Sequence, residues 1–172
     1  MGANYSAPRT IMLSGAALGA VATASAGTWA AATSSGVMSY DKTSGEDTAT
    51  LEFSLSQFLP TAKNADTIID SITYNYTIGT AAITSITSEL HITNDNATTG
   101  VPAATTYALA GTGSDSFGKT ATTHKVTVYP SSTTTFGDGN QLNLEMILTP
   151  VTEAAYTFKL NYISIEYREV YN

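Results

Sequence analysis

Hydrophobic side chains fall on alternate positions through most of the chain beyond residue 36. Leu51, Phe53 and Leu55 are separated by Glu52, Ser54 and Ser56, and Leu142, Leu144, Met146 and Leu148 by Gln141, Asn143, Glu145 and Ile147. This is the period of a strand with one face in a core and the other in water. Residues 67–78 set Ile68, Ile72, Tyr74, Tyr76 and Ile78 on one face, with Asp70 out of place among them. Ile86, Leu90 and Ile92 oppose Glu89 and His91, and His124, Val126 and Val128 alternate up to Pro130. Shorter runs surround Met38 and Tyr40, and Tyr107 and Leu109.

The last segment breaks step with itself. Tyr156, Phe158, Leu160 and Tyr162 keep one parity, then Ile163, Ile165 and Tyr167 take the other. A strand can do this only through a bulge or by being covered on both faces. Residues 150–154 are short enough for a hairpin, so 140–149 and 155–167 are expected to pair antiparallel.

These segments predict about eight strands, punctuated by Gly and Pro, with no amphipathic helix after residue 36 and no internal repeat. The expected fold is all-β: a single antiparallel β-sandwich or jelly roll, residues 36–172, preceded by an extended N-terminal arm, residues 1–35. The arm is set apart by composition, since Arg9 is its one charged side chain among Ala, Gly, Ser and Thr. Arg9 followed by residues 11–26, ending Ala24-Ser25-Ala26, has the outline of a secretory signal, and Met1-Gly2 with Ser6 fits a myristoylation pattern. Gly15, Gly19, Ser14, Thr23 and Ser25 dilute the stretch too much for a membrane span. The reading carried forward is an arm laid against another subunit, small residues letting its backbone approach closely.

Composition narrows the function. The 172 residues suffice for one domain burying roughly 70% of its unfolded surface. There is no Cys, which removes disulfides and thiolate metal sites. Charged residues are 12%, net charge is −7, and 30 residues are Thr, so the surface is built of hydroxyls and amides. Seven Lys plus Arg, scattered singly, give no basic stripe for a nucleic acid.

Few groups can carry catalysis. His91 and His124 lack metalloprotease spacing and read as ordinary strand residues, and no Ser sits in a nucleophile elbow. Glu52, Glu89 and Glu145 fall between apolar neighbours, as solvated strand faces do, although folding could bring such carboxylates together as a glycosidase pair. Asn94-Asp95-Asn96 and Asp138-Gly139-Asn140 make Asp95 and Asp138 weak calcium candidates, in competition with ordinary turn chemistry. No catalytic residue and no cofactor is assigned. Arg9, Ile11, Leu13, Leu18 and Trp29 of the arm, with Tyr167 and Tyr171, are the expected subunit contacts.

Ser39-Tyr40, Leu51-Glu52-Phe53-Ser54-Leu55, Thr123-His124-Lys125-Val126-Thr127-Val128, Leu142-Asn143-Leu144-Glu145-Met146 and Ile163-Ser164-Ile165-Glu166-Tyr167 together resemble the strand texture of small β-sandwich virion proteins of tailed bacteriophages. The resemblance implies a non-enzymatic, often trimeric, jelly-roll-like module on the virion surface. Such a module decorates or cements a capsid, or forms a head-fibre subunit, and meets the major capsid protein. The alternatives are a tail adhesin touching a host surface glycan through loops 94–104 and 111–118, and a cellular extracellular filament assembled by strand donation. Neither a nucleic acid nor a membrane span is expected.

Overall fold

A computed structural model of the chain describes residues 4–14, 17–18, 22–26, 29–30, 38–42, 49–59, 65–80, 83–94, 103–111, 116–133, 135–136, 140–150 and 156–171. In chain order the strands are β1 (Asn4–Tyr5), β2 (Arg9–Ser14), β3 (Ala22–Ala26), β4 (Trp29–Ala30), β5 (Met38–Lys42), β6 (Ala49–Ser54), β7 (Ala65–Ile78), β8 (Ile83–Asn94), β9 (Ala103–Ala110), β10 (Thr123–Pro130), β11 (Thr135–Phe136), β12 (Asn140–Pro150) and β13 (Tyr156–Tyr171). One 3₁₀ turn, Ser56–Phe58, follows β6.

Every pairing is antiparallel. The strands run β3-β6-β12-β8-β9-β10-β7-β13-β5-β4, and β1 and β2 continue along β13 beyond β5. The path folds over at β10, which pairs along its length with β7 but at its end, Tyr129 and Pro130, with β9. The result is a back sheet, β3-β6-β12-β8-β9, facing a front sheet, β10-β7-β13-β5-β4. Their inner faces form one core that includes Leu51, Phe53, Leu90, Leu142, Leu144 and Met146 from the back, and Ile72, Tyr74, Tyr76, Phe158, Leu160, Ile163 and Ile165 from the front. Each such aliphatic side chain contributes about 2 kcal/mol by leaving water. The all-β sandwich expected from the alternation is what the chain forms, and the eight expected strands all exist.

The bulge in β13 is present as well. Register shifts between Leu160 and Tyr162, which leaves Asn161 as the extra residue, and a second shift follows Glu166. The parity therefore changes one residue earlier than the apolar run suggests, and Tyr162 is half-buried instead of core. Asn161 Nδ2 donates to Asn75 Oδ1 at 2.7 Å and Thr77 Oγ1 at 3.2 Å, fixing the bulged residue on β7. Asp70 is accounted for by Arg168, whose Nε and Nη2 donate to its two carboxylate oxygens at 2.7 Å each.

Several expectations need correction. β12 and β13 are not a hairpin: β12 lies between β6 and β8 in the back sheet, while β13 lies in the front sheet beside β7. Residues 151–155 thus join two layers, and loop length alone could not reveal that. The count of about eight strands omits β1 to β4, which lie in the stretch read as an arm, and the two-residue β11.

The arm is corrected too. In its described parts it is woven into the sandwich of its own chain: β1 and β2 pair with β13, β3 with β6, and β4 with β5. Leu13 and Leu18 are buried in the core, and so is Tyr167, so these three expected subunit contacts are internal. Ile11 packs half-buried against that core. Arg9 Nη1 lies 3.3 Å from Glu169 Oε1, and Tyr171 remains exposed while its hydroxyl donates to Glu169 Oε2. The side chain of Trp29, together with Asp95 and Asp138, lies outside the described residues.

Candidate functional site

The back sheet carries two features that share Glu89. The first is a groove. β8 pairs with β9 from Asn94↔Ala103 to Ser88↔Leu109, and beyond that point β9 leaves β8 and turns to β10. The sheet forks there, and a cleft of 560 Å³ opens between Thr84–Glu89 on one side and Ala108–Gly111 on the other. Ser116, Phe117 and Lys119 from the segment before β10 complete its wall. Lys119 Nζ donates to Thr84 O at 2.9 Å and holds this segment across the fork.

The floor is anchored in the core. Phe117 packs 5.5 Å from the Tyr74 ring and 6.2 Å from the Tyr76 ring, centroid to centroid. Tyr76 stacks on Phe158 at 5.3 Å, and its hydroxyl donates to Gly118 O at 2.8 Å. Gly118 is required at that point, because a Cβ there would overlap the His124 ring. Ser88 Oγ donates to Glu145 O at 2.9 Å, which commits its one proton, so the Tyr74 hydroxyl at 2.5 Å must donate to Ser88. Burial pushes the phenols of Tyr74 and Tyr76 well above the usual tyrosine range, against the pull of these hydrogen bonds.

The second feature is a row of carboxylates. Glu52 on β6, Glu145 on β12 and Glu89 on β8 are direct cross-strand partners, and His91 lies two positions along from Glu89 on the same face. His91 Nε2 is 3.1 Å from Glu89 Oε2. Burial pushes the Glu145 carboxyl up; His91 opposes the shift, while Glu52 and Glu89 add to it. Glu89 belongs to both features, as part of the groove wall and as one end of the row.

The sequence placed each of these residues on the correct face and left open whether the three carboxylates meet; the pairing brings them together. Glu52, Glu89 and Glu145 all sit at outward parity, yet their alignment depends on the register of three strands. The available signal was Glu89-Leu90-His91, a carboxylate and an imidazole spaced to share a strand face. His124 is not part of the row; its Nε2 donates to Thr120 O at 2.8 Å, and its ring lies 5.2 Å from that of Tyr76. Among the described residues no helix is long and apolar enough to cross a membrane.

No protein-family model matches the sequence, and no curated protein matches it. Among solved structures, the chain is similar to the CBM36-1 domain of a multidomain xylanase from the hindgut metagenome of Trinervitermes trinervoides, with TM-score 0.45 and 8% identity over 91% of this chain and 96% of that one. It is similar to a family two carbohydrate esterase from Cellvibrio japonicus, with TM-score 0.45 and 7% identity over 93% of this chain, which spans 34% of the esterase. It is also similar to a non-crystalline cellulose specific carbohydrate-binding module, CBM28, with TM-score 0.35 and 16% identity, covering 80% of this chain and 75% of that one.

Proposed function

We propose that this chain is a non-enzymatic β-sandwich binding module that takes a saccharide in the groove between β8 and β9, acting as an adhesin on a particle surface. The groove carries the reading. Its wall combines the hydroxyls of Thr84, Ser85, Thr87 and Ser116 with one carboxylate, one ammonium and the aromatic Phe117. Multiple hydroxyl partners around an aromatic side chain suit a polyhydroxylated ring, which is polar at its edge and apolar on its faces. Of the three aligned carboxylates Glu89 alone lines the groove, so a bound sugar would meet one acid and not the pair that glycoside hydrolysis uses. The resemblance to phage virion proteins is what ties such a module to a virion.

The test is a glycan array followed by calorimetry on the full chain. A saccharide that binds is expected to lose its affinity in Thr87→Trp, which fills the groove from an exposed position, with an unchanged melting temperature. Silence across the array, or binding indifferent to Thr87→Trp, would refute the proposal.

A second reading, a capsid-decorating, cementing or head-fibre subunit, is favoured by a different observation. Among the described residues β2 pairs only with β13, which leaves its other edge open, and Tyr5, Met12 and Tyr171 are exposed in the strands along β13. An open edge beside apolar side chains suits self-association by strand pairing, with a trimer as the state the resemblance implies. Light scattering of the purified chain distinguishes it: a monomer at high concentration removes this reading and leaves the groove untouched.

A further inference from the structure

We propose that Glu89, His91 and Glu145 form a binding site for one divalent transition-metal ion of the zinc type, on the outer face of the back sheet. The three residues offer one imidazole nitrogen and two carboxylate oxygens, all within 4.8 Å of one another. Each comes from the middle of a regular strand, so the backbone that carries the ligands is already fixed by the β8–β12 ladder. His91 Nε2 and Glu89 Oε2 stand 3.1 Å apart, close to the edge of about 3.3 Å that bonds of roughly 2.0 Å give a zinc tetrahedron. The wider separation to Glu145 closes by rotation about the terminal torsion of a glutamate, which is soft.

Electrostatics points the same way. Glu52, Glu145 and Glu89 occupy three consecutive cross-strand positions, and like charges directly opposite one another destabilise a sheet. A dication bound by the row would relieve that repulsion. The imidazole separates this row from an ordinary solvated acidic face and selects the ion: calcium takes six to eight oxygens, whereas one nitrogen with two carboxylates suits zinc and its neighbours. Glu52, directly opposite Glu145 on the neighbouring strand, adds a third negative charge beside the ion without being one of its ligands.

The experiment uses the full chain, stripped with EDTA and titrated with Zn2+ by calorimetry and native mass spectrometry, with Co2+ as a spectroscopic probe. One equivalent should bind, Co2+ should give a visible d–d band, and excess Ca2+ should not displace it. His91→Ala and Glu145→Gln should abolish binding, Glu52→Gln should weaken it by removing a neighbouring negative charge, and His124→Ala should leave it unchanged. In the wild-type chain the imidazole resonances of His91, and not those of His124, should move on adding Zn2+, a readout that needs no variant. Absence of stoichiometric binding, or binding that survives His91→Ala, overturns the site. No sugar enters these measurements, so their failure and that of the groove reading are separable.

Discussion

At the residue scale the most informative group is Tyr74, a phenol in the middle of an apolar core. Its hydroxyl reaches from β7 of the front sheet to Ser88 of the back sheet, which in turn donates a hydrogen bond to the Glu145 carbonyl. Tyr74→Phe removes one hydrogen bond but leaves Ser88 donating, so the expected loss is about 1 kcal/mol in a denaturant titration at neutral pH. The alkaline limb should change as well. A phenol whose folded pKa is raised leaves stability intact below the ordinary tyrosine range and erodes it as pH climbs, because the unfolded chain ionises first. Tyr74→Phe should therefore flatten the fall in stability above about pH 10, leaving the share due to Tyr76. Sequence alternation marked Tyr74 and Tyr76 as core. It could not mark Ser88, a polar residue at an inward position of β8, because its acceptability depends on partners from two other strands.

At the element scale β13 is where sequence and structure agree most closely and also part. The shift from Phe158 and Leu160 to Ile163 and Ile165 was legible as a bulge because side chains on a strand alternate without exception. Its position was not, since Tyr162 is apolar enough to pass for core. Deleting Asn161 tests the assignment. It would force either residues 156–160 or residues 162–167 onto the wrong face, exposing Phe158 and Leu160 or Ile163 and Ile165. We expect loss of cooperative unfolding, whereas Asn161→Ala, which keeps the extra residue, should cost no more than about 1–2 kcal/mol for its hydrogen bonds. Similar melting curves for the two variants would show the bulge to be dispensable. The carboxylate row was open in the sequence only as a possibility: Glu52, Glu89 and Glu145 are far apart in the chain, and only the β6-β12-β8 order aligns them.

At the scale of the whole molecule the described parts of residues 4–30 turn out to be structural. β3 and β4 are the two ends of the strand path, one in each sheet, and residues 27 and 28 are all that separates them in sequence. Three Cα steps of 3.8 Å cannot exceed roughly 11 Å, so the two ends of the folded strip are held that close. A chain lacking residues 1–26 loses β1, β2 and β3 together with the core residues Leu13 and Leu18, where each buried Leu alone is worth about 2–5 kcal/mol. That truncation should yield no cooperatively folded protein by circular dichroism and calorimetry; a native-like melt would contradict the pairing. Composition misled here because Ala, Ser, Thr and Gly on edge strands look like a detached tail, and pairing partners are invisible to a local window.

The junction of the two termini has a kinetic side. Ser6 exchanges two hydrogen bonds with Glu169, 163 positions away, through its backbone amide and its hydroxyl. Residues around Ser6 must therefore wait until the chain has grown past Glu169 before they find these partners. Closure of the sandwich is consequently a late event with a long loop to search, and until β12 and β13 are made the edge of β6 and the unfinished front sheet are the surfaces a chaperone would have to shield.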